Sequence, residues 1–263
     1  MIVRIESDRW GHEVRASQSL RYKFIKDLTL QNFEITSKND IYDCACSNNY
    51  FLGLLSEKYS FNMYGSDIEI DALNEAVDKY KNASFVISRL PKLPFSQNKF
   101  DLIFALEVLY YLDPHDYSET ILGLYSKLKA GGILIVSSPD SFSRQHNEKK
   151  MISDQISSSN ISIIEYKIEL AGAVIIDMNL IKILKIARKL GCLEVSHTTG
   201  FLDSQINIPS AFKWIARILI TPILSIVIFL LGNKFFIRNF GLLINLFLKN
   251  RVSHSVFLIK KSN

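Results

Sequence analysis

The stretch Ile41–Asp67, IYDCACSNNYFLGLLSEKYSFNMYGSD, decides the fold, because it has the pattern of a strand, a tight loop, a helix and a second strand ending in an acid. A βαβ unit of this form brings the loop after its first strand close to the acid that closes its second strand. Where nucleotide-cofactor loops usually carry glycines, this loop has Ala45, Ser47 and Asn49. The layout therefore predicts a nucleotide-cofactor site with an unusual loop.

Strands and helices alternate outward from this unit, which is typical of a parallel sheet covered on both faces. Apolar periodicity predicts helices at Ala16–Leu28, Tyr50–Lys58, Ala72–Lys81, Tyr117–Lys129 and Asn179–Leu190. Short apolar runs predict strands at Asp40–Cys46, Asn62–Ser66, Ser84–Ile87, Phe100–Ala105, Gly132–Ser137, Cys192–His197 and Ser253–Ile259. We expect an α/β fold: a Rossmann-like, doubly wound, mostly parallel seven-stranded sheet with helices on both faces and ligands bound along one edge.

Composition divides the chain into three parts. We expect an N-terminal helical lid at residues 1–39, a Rossmann-like core formed by residues 40–203 and 252–263, and an apolar, basic helical insertion at residues 204–251. Within the core, Ser141–Ser159 is polar and serine-rich, which predicts a mobile loop.

The net charge of +5 is unevenly distributed. Residues 204–263 contain eight basic and no acidic residues, so the first 203 residues carry a net charge of −3. An acidic body with a basic, apolar C-terminal part predicts an anionic membrane surface as partner, through residues 213–251. Because the basic residues alternate with large apolar ones, we expect no nucleic acid partner.

The insertion contains Ile218–Asn233, a run of 16 uncharged residues between Arg217 and Lys234. As a helix it would be about 24 Å long, against roughly 30 Å of hydrocarbon in a bilayer. Trp214 and the flanking cations are residue types found at the lipid headgroups. The run therefore indicates a segment lying in a membrane interface; a cover for a sheet edge and an apolar substrate cap are the open alternatives.

Cys44, Cys46 and Cys192 are a sparse set, and no secretory signal follows Met1, so we expect a cytoplasmic protein, peripheral on the inner face of the membrane. No second Cys or His pair stands at a metal-ligand spacing, so no metal is expected and Cys44 and Cys46 are interpreted as small buried side chains.

Four landmarks follow one another in the chain. They are Asp43, Ala45, Ser47 and Asn49 where a family loop runs Asp-x-Gly-x-Gly-x-Gly; Asp67 as the second-strand acid; Leu93–Phe95 with Phe100 and Asp101; and Leu128–Gly132 where the family has Leu-Lys-Pro-Gly-Gly. Because these four landmarks occur in this order, the stretch Ile41–Pro139 resembles the class I S-adenosylmethionine-dependent methyltransferases, particularly their small-molecule methyltransferase-domain group.

The resemblance implies a set of S-adenosylmethionine-binding residues. The methionine portion would lie near Asp43, Ala45, Cys46, Ser47 and Asn49, the ribose on Asp67, and the adenine near Ile68, Ser88, Arg89 and Leu90, with Glu107 facing the methionine end or the substrate. Arg89 stands where the family usually has an acid that accepts from the adenine amino group, which an Arg cannot do.

A hydroxyl acceptor must lose a proton during methyl transfer, and the segment YYLDPHD supplies the candidates. His115 and Asp113 are the predicted bases, with Tyr111 as a shaping or hydrogen-bonding residue. His254 has no visible partner in the sequence and is interpreted as structural.

Two functional hypotheses follow. The first is a methyltransferase acting on a small-molecule or lipid- or glycan-linked acceptor at the cytoplasmic membrane face. The second is a catalytically inactive methyltransferase-like binding or assembly module, motivated by the missing glycines and by Arg89. A nicotinamide-dependent enzyme is disfavoured by Leu93–Phe95 and Leu128–Gly132.

Overall fold

The computed structural model describes residues 3–5, 15–156, 162–189, 193–195 and 252–262, with isolated residues between 218 and 247. The chain divides into two compact units: a helical unit of residues 1–24 and 169–251, and a sheet unit of residues 25–168 and 252–263. These limits differ from the three predicted parts, and much of the predicted lid and insertion lies outside the described residues.

The sheet unit is built on seven strands and the helices between them. The strands are β2 (Asp40–Cys44), β3 (Asn62–Asp67), β4 (Ser84–Ile87), β5 (Phe100–Leu106), β6 (Leu128–Pro139), β7 (Ser162–Ile168) and β9 (His254–Lys260). The helices wholly within it are α2 (Tyr50–Ser56), α3 (Ile70–Lys79), α4 (Pro114–Lys127), α5 (Asp140–His146) and α6 (Glu148–Gln155), with a 3₁₀ turn at Leu109–Tyr111.

The strand order is β4-β3-β2-β5-β6-β9-β7, with only β9 antiparallel to its neighbours. The predicted mostly parallel seven-stranded sheet is therefore confirmed. The central strands β2, β5 and β6 are almost entirely buried, which explains their continuous apolar sequences.

The identity of one strand was predicted wrongly. The stretch expected as a strand at Cys192–His197 contains β8 (Leu193–Val195), which pairs with β1 (Val3–Ile5) in a separate two-stranded sheet of the helical unit. The seventh strand of the main sheet is instead β7, which lies at one end of the strand order and pairs with β9. Its Glu165 and Lys167 interrupt the apolar run that made the other strands predictable.

The mobile loop predicted at Ser141–Ser159 is also wrong, because most of that stretch forms α5 and α6, joined at Asn147 in a left-handed conformation (φ 48°). Phe142, Met151 and Ile152 pack into or against the main core. The serine-rich composition concealed this apolar spacing.

Charged groups at the amino edge of the sheet form a cluster of ion pairs. The Lys129 ammonium lies 3.0 Å from the Asp40 carboxylate and 2.7 Å from that of Asp101, and Asp101 also accepts the backbone N–H of Asp40 at 2.8 Å. This ties β2, β5 and β6 together at the end of the sheet opposite the strands' carboxyl ends.

The helical unit contains the start of α1 (Ala16–Asn32), α7 (Ala171–Lys189), and the strand pair β1 and β8. Ser17 donates to the buried Asp177 carboxylate through its backbone N–H at 2.8 Å and its hydroxyl at 2.5 Å. Ala173 and Ile176 of α7 pack with Leu20 of α1. Within the described part of the chain, no helix combines the length and hydropathy needed to cross a bilayer.

Candidate active site

The carboxyl ends of β2, β3 and β5 lie side by side at one edge of the sheet. Cys44 pairs with Ser66 on one side and with Ala105 on the other. The loop after β2, the acid that ends β3 and the residues after β5 therefore meet at this edge, as the sequence predicts.

The loop after β2 keeps the backbone path that glycines normally provide. Ala45, Ser47 and Asn49 have φ angles of 59°, 50° and 59°, all in the left-handed region. This conformation costs an ordinary L-residue about 1–2 kcal/mol, and Asn tolerates it best. The loop has therefore lost its glycines without losing their conformation.

Asp67 supports this conformation. Its Oδ2 accepts the backbone N–H of Ser47 at 2.7 Å, and its Oδ1 accepts that of Glu69 at 2.9 Å, at the turn into α3. The carboxylate is buried, and each oxygen keeps capacity for a further hydrogen bond. Asp67 thus braces the loop, while its remaining acceptor capacity suits the predicted ribose.

Cys46 contributes to the site through its backbone. Its N–H donates to the Ser66 carbonyl at 3.0 Å, which continues the β2–β3 pairing into the loop. Its side chain is buried so close to Gly65 that a Cβ at position 65 would lie 2.7 Å from the Cys46 sulfur. Burial raises the pKa of Cys44 to about 12 and that of Cys46 well above its usual value, so both thiols are interpreted as packing groups.

Asp43, at the end of β2, is a buried carboxyl group. Burial and then the neighbouring Asp67 charge raise the pKa of Asp43 well above its usual value. The site therefore holds two carboxyl groups in mutual repulsion, an arrangement that a cationic ligand would relieve.

The predicted adenine side lies beyond β3 and β4. Ile68 and Ile87 are large apolar side chains left more than half exposed there. The Ser88 backbone N–H donates to the Asp67 carbonyl at 2.9 Å, while Arg89 is exposed and Leu90 packs against the core.

The three residues predicted as catalytic lie in the segment after β5. Tyr111 is 74% exposed, and its hydroxyl lies 3.2 Å from that of Tyr110. Asp113 caps α4 by accepting the backbone N–H groups of His115 and Asp116 at 3.0 and 2.9 Å. The His115 ring is 84% exposed, with Asp116 at 3.6 Å.

One pair of residues at this edge was missed. The Glu107 carboxylate lies 3.4 Å from Nε2 of His254, the first residue of β9, and accepts the Ser137 hydroxyl at 2.9 Å. Both side chains of the pair are largely buried, at 15% and 13% exposed. Because β9 runs antiparallel beside β6, its first residue lies at the carboxyl edge of the sheet. The position of His254 could therefore have been predicted only from the strand order.

A second buried carboxyl group lies nearby on α6. Glu148 accepts the hydroxyls of Tyr117 at 3.0 Å and Ser138 at 2.7 Å. Burial raises the pKa of Glu148, and the Glu107 charge adds a smaller contribution in the same direction. Glu148 fastens α4 and α6 to the end of β6.

Most of this region is similar to known methyltransferases. Residues 41–132 match the family model described as a methyltransferase domain. An uncharacterised methyltransferase of Synechocystis is 27% identical over 106 residues, which cover 40% of this chain and 50% of that protein. The match thus spans half the length of this curated relative.

Solved structures show the same fold at low identity. A provisionally assigned sarcosine dimethylglycine methyltransferase from Galdieria sulphuraria aligns with a TM-score of 0.57 and 11% identity, over 93% of this chain and 86% of that one. The N-methyltransferase NodS from Bradyrhizobium japonicum, in complex with S-adenosyl-L-homocysteine, aligns with a TM-score of 0.52 and 18% identity, over 62% and 85%.

The residues present fit S-adenosylmethionine. The loop backbone has its glycine-type conformation, Asp67 retains acceptor capacity, and the carboxyl groups of Asp43 and Asp67 suit the positive charges of the methionine portion. Ala45 and Ser47 add only small side chains to the loop.

We predict that Ala45→Gly stabilises the protein by about 0.5–1 kcal/mol, because relief of left-handed strain exceeds the entropy cost of a glycine. The matched control is Ala105→Gly, in the buried part of β5, which should destabilise by about 1 kcal/mol. Urea unfolding of both variants measures the difference. Equal destabilisation by the two substitutions would contradict the left-handed assignment.

We predict that the stability of Asp43→Asn relative to wild type grows as the pH rises. The native state holds the Asp43 proton more tightly than the unfolded chain, whose carboxyl group titrates near 3.8. Wild-type stability therefore falls as pH rises from about 4 through the raised native pKa, whereas the variant lacks this loss. Urea unfolding between pH 4 and 8 measures the free energy of unfolding of both proteins, with Asp78→Asn, an exposed position, as control. Parallel dependence of this free energy on pH in Asp43→Asn and wild type would refute the prediction.

Proposed function

We propose that the protein transfers a methyl group from S-adenosylmethionine to a small-molecule or lipid- or glycan-linked acceptor. The premise is that residues 41–132 belong to the class I S-adenosylmethionine-dependent methyltransferases. The observation that supports the proposal most strongly is that three non-glycine residues in the loop after β2 keep left-handed backbone angles. A loop with no ligand to bind would gain stability by relaxing from this conformation.

The cofactor, when bound, supplies a methyl group on a positively charged sulfur. The chain's own residues bind and orient the cofactor. In this proposal Asp67 and the loop backbone hold its nucleoside portion, and Asp43 faces the cationic groups of its methionine portion. Methyl transfer is an in-line displacement, so positioning of the acceptor supplies most of the rate acceleration.

For a hydroxyl acceptor, His115 is the proposed proton acceptor. Its ring is exposed, and Asp116 and Glu119 lie 3.6 and 4.0 Å from its Nδ1. The Asp113 carboxylate is occupied in capping α4, so its role in this proposal is to fix the turn that carries His115. Tyr111 borders the same segment.

We predict that S-adenosylmethionine binds the wild-type protein and binds Asp67→Asn at least tenfold more weakly, because the ionised carboxylate accepts from both the loop and the ribose. Isothermal titration calorimetry measures both affinities. Asp78→Asn, on the exposed face of α3, is the control and should bind like wild type. Unfolding curves establish that Asp67→Asn is folded.

The same titration tests the alternative of an inactive binding or assembly module. Arg89, which cannot accept the adenine hydrogen bond, and the missing glycines of the loop after β2 favour that alternative. Absence of binding at millimolar S-adenosylmethionine would overturn the methyltransferase proposal and leave the inactive binding or assembly module as the remaining hypothesis.

The proposal includes a location on the cytoplasmic face of an anionic membrane. Its support is that the described helical residues of the insertion expose large apolar side chains, at Ile218, Leu219, Ile223, Ile226 and Phe229. Leu219, Ile223 and Ile226 recur at spacings of four and three residues and so share one helical face, while Thr221 is buried. The surrounding net charge of +8 over residues 204–263 suits anionic lipid.

We predict that the protein floats with phosphatidylglycerol-containing liposomes and much less with pure phosphatidylcholine. The double variant Leu219→Ser/Ile226→Ser should lower the bound fraction at least fivefold, because the apolar face no longer enters the interface. Ile70→Ser, an equally exposed apolar residue of α3, is the matched control. Failure of the wild type to float with either lipid would overturn the membrane location and leave the catalytic proposal standing.

A further inference from the structure

Glu107 is held at the carboxyl end of β5 from two neighbouring strands. Its backbone N–H donates to the Ser137 carbonyl at 3.0 Å, and its carboxylate accepts the Ser137 hydroxyl at 2.9 Å. From β9, His254 brings its Nε2 to 3.4 Å from the other carboxylate oxygen. His254 pairs with Pro139 in the β6–β9 register, two residues beyond Ser137.

The contacts around His254 indicate where one proton lies. The Ser253 hydroxyl lies 3.1 Å from the Ile168 carbonyl and 2.9 Å from Nδ1 of His254, and its single proton can go to either. A proton is required between Nε2 and the Glu107 carboxylate, 3.4 Å apart, since two lone pairs would otherwise face each other.

This proton lies with the histidine. The Ser137 hydroxyl donates to the other oxygen of Glu107, which favours the ionised carboxylate. Nε2 of His254 therefore donates towards an ionised Glu107 carboxylate. His254 is thus well suited to hold this negative charge in place.

The backbone of Glu107 is strained as well. Its φ of 58° is left-handed, a conformation that a long side chain adopts only when its surroundings impose it. The contacts from Ser137 and His254 supply that constraint. Strain of this kind is found most often at functional sites, which makes the Glu107 carboxylate a candidate functional group.

Other charged groups at this part of the edge have partners of their own. Lys167 and Arg144 lie 2.8 and 2.6 Å from the buried Asp140 carboxylate, and Glu148 accepts hydrogen bonds from two hydroxyls. Asp43 and Asp67 lie at the carboxyl ends of β2 and β3. Glu107 therefore shares this edge of the sheet with two further carboxyl groups, an arrangement suited to a cationic ligand.

We propose that His254 is a positioning residue that holds Glu107 ionised and aimed at the cofactor, where the Glu107 carboxylate acts as the counter-charge to the sulfonium. This inference rests on the proposed function. It assigns to the last strand of the sheet a part in distinguishing S-adenosylmethionine from its product S-adenosylhomocysteine, which lacks the methyl group and the positive charge.

Two near-isosteric substitutions of His254 test the roles of its two ring nitrogens separately. The amide nitrogen of Gln is as many bonds from Cβ as Nε2, and that of Asn as many as Nδ1. His254→Gln therefore keeps a donor towards Glu107, while His254→Asn keeps one towards Ser253 only. A purely structural role predicts similar effects of the two on folding stability and no effect on ligand preference.

The experiment measures the affinities of S-adenosylmethionine and S-adenosylhomocysteine by calorimetry for wild type, Glu107→Gln, His254→Gln, His254→Asn and Glu107→Gln/His254→Asn. We expect Glu107→Gln and His254→Asn each to lower the ratio of the two affinities at least fivefold, with His254→Gln within twofold of wild type. The double variant should show no further loss, because both substitutions remove one interaction. Unfolding curves confirm folding.

An unchanged ratio in His254→Asn or Glu107→Gln would overturn this inference while cofactor binding by the wild type left the proposed function intact. Absence of binding by the wild type would overturn both. A second readout needs no ligand: ¹⁵N-histidine NMR should show a protonated Nε2 of His254 in wild type and an unprotonated Nε2 in Glu107→Gln. An unprotonated Nε2 in wild type would also overturn the inference.

Discussion

The hydrogen bond from the Ser47 backbone to the Asp67 carboxylate is the constraint on which the site depends. It joins the loop after β2 to the end of β3, across strands already aligned by their register. Without it, a loop of Ala45, Ser47 and Asn49 would have little reason to keep three left-handed residues. Glycine lowers the cost of this conformation in related loops; here one buried carboxylate must maintain it against the strain of ordinary side chains.

The two edges of the sheet treat charge differently. At the amino edge, Lys129 forms ion pairs with both Asp40 and Asp101, and the cluster fastens three strands. At the carboxyl edge, burial and then the neighbouring Asp67 charge raise the pKa of Asp43. A buried carboxyl group that is unfavourable for folding thus lies where a cationic cofactor would bind, as stability and function often compete at active sites.

Much of the fold was predictable because it depends on local patterns. The βαβ unit, the buried strands and Asp67 at the end of β3 follow from apolar runs and spacing. The sequence was misleading where polar composition hid packing: the serine-rich stretch at Ser141–Ser159 contains two helices, and β7 carries Glu165 and Lys167 among its apolar residues. Composition reports average polarity, whereas a helix or edge strand needs only one apolar face.

The site was predictable to the extent that it lies within that local unit. Asp43, the loop and Asp67 belong to one continuous stretch, so spacing alone brings them together. The pairing of Glu107 with His254 joins residues 147 positions apart and depends on β9 inserting antiparallel between β6 and β7. No periodicity encodes that choice; it follows from which strand fills the last gap in the sheet. Once β9 runs antiparallel, its first residue must reach the carboxyl edge, so a histidine that looked isolated in the sequence becomes the partner of a strained glutamate.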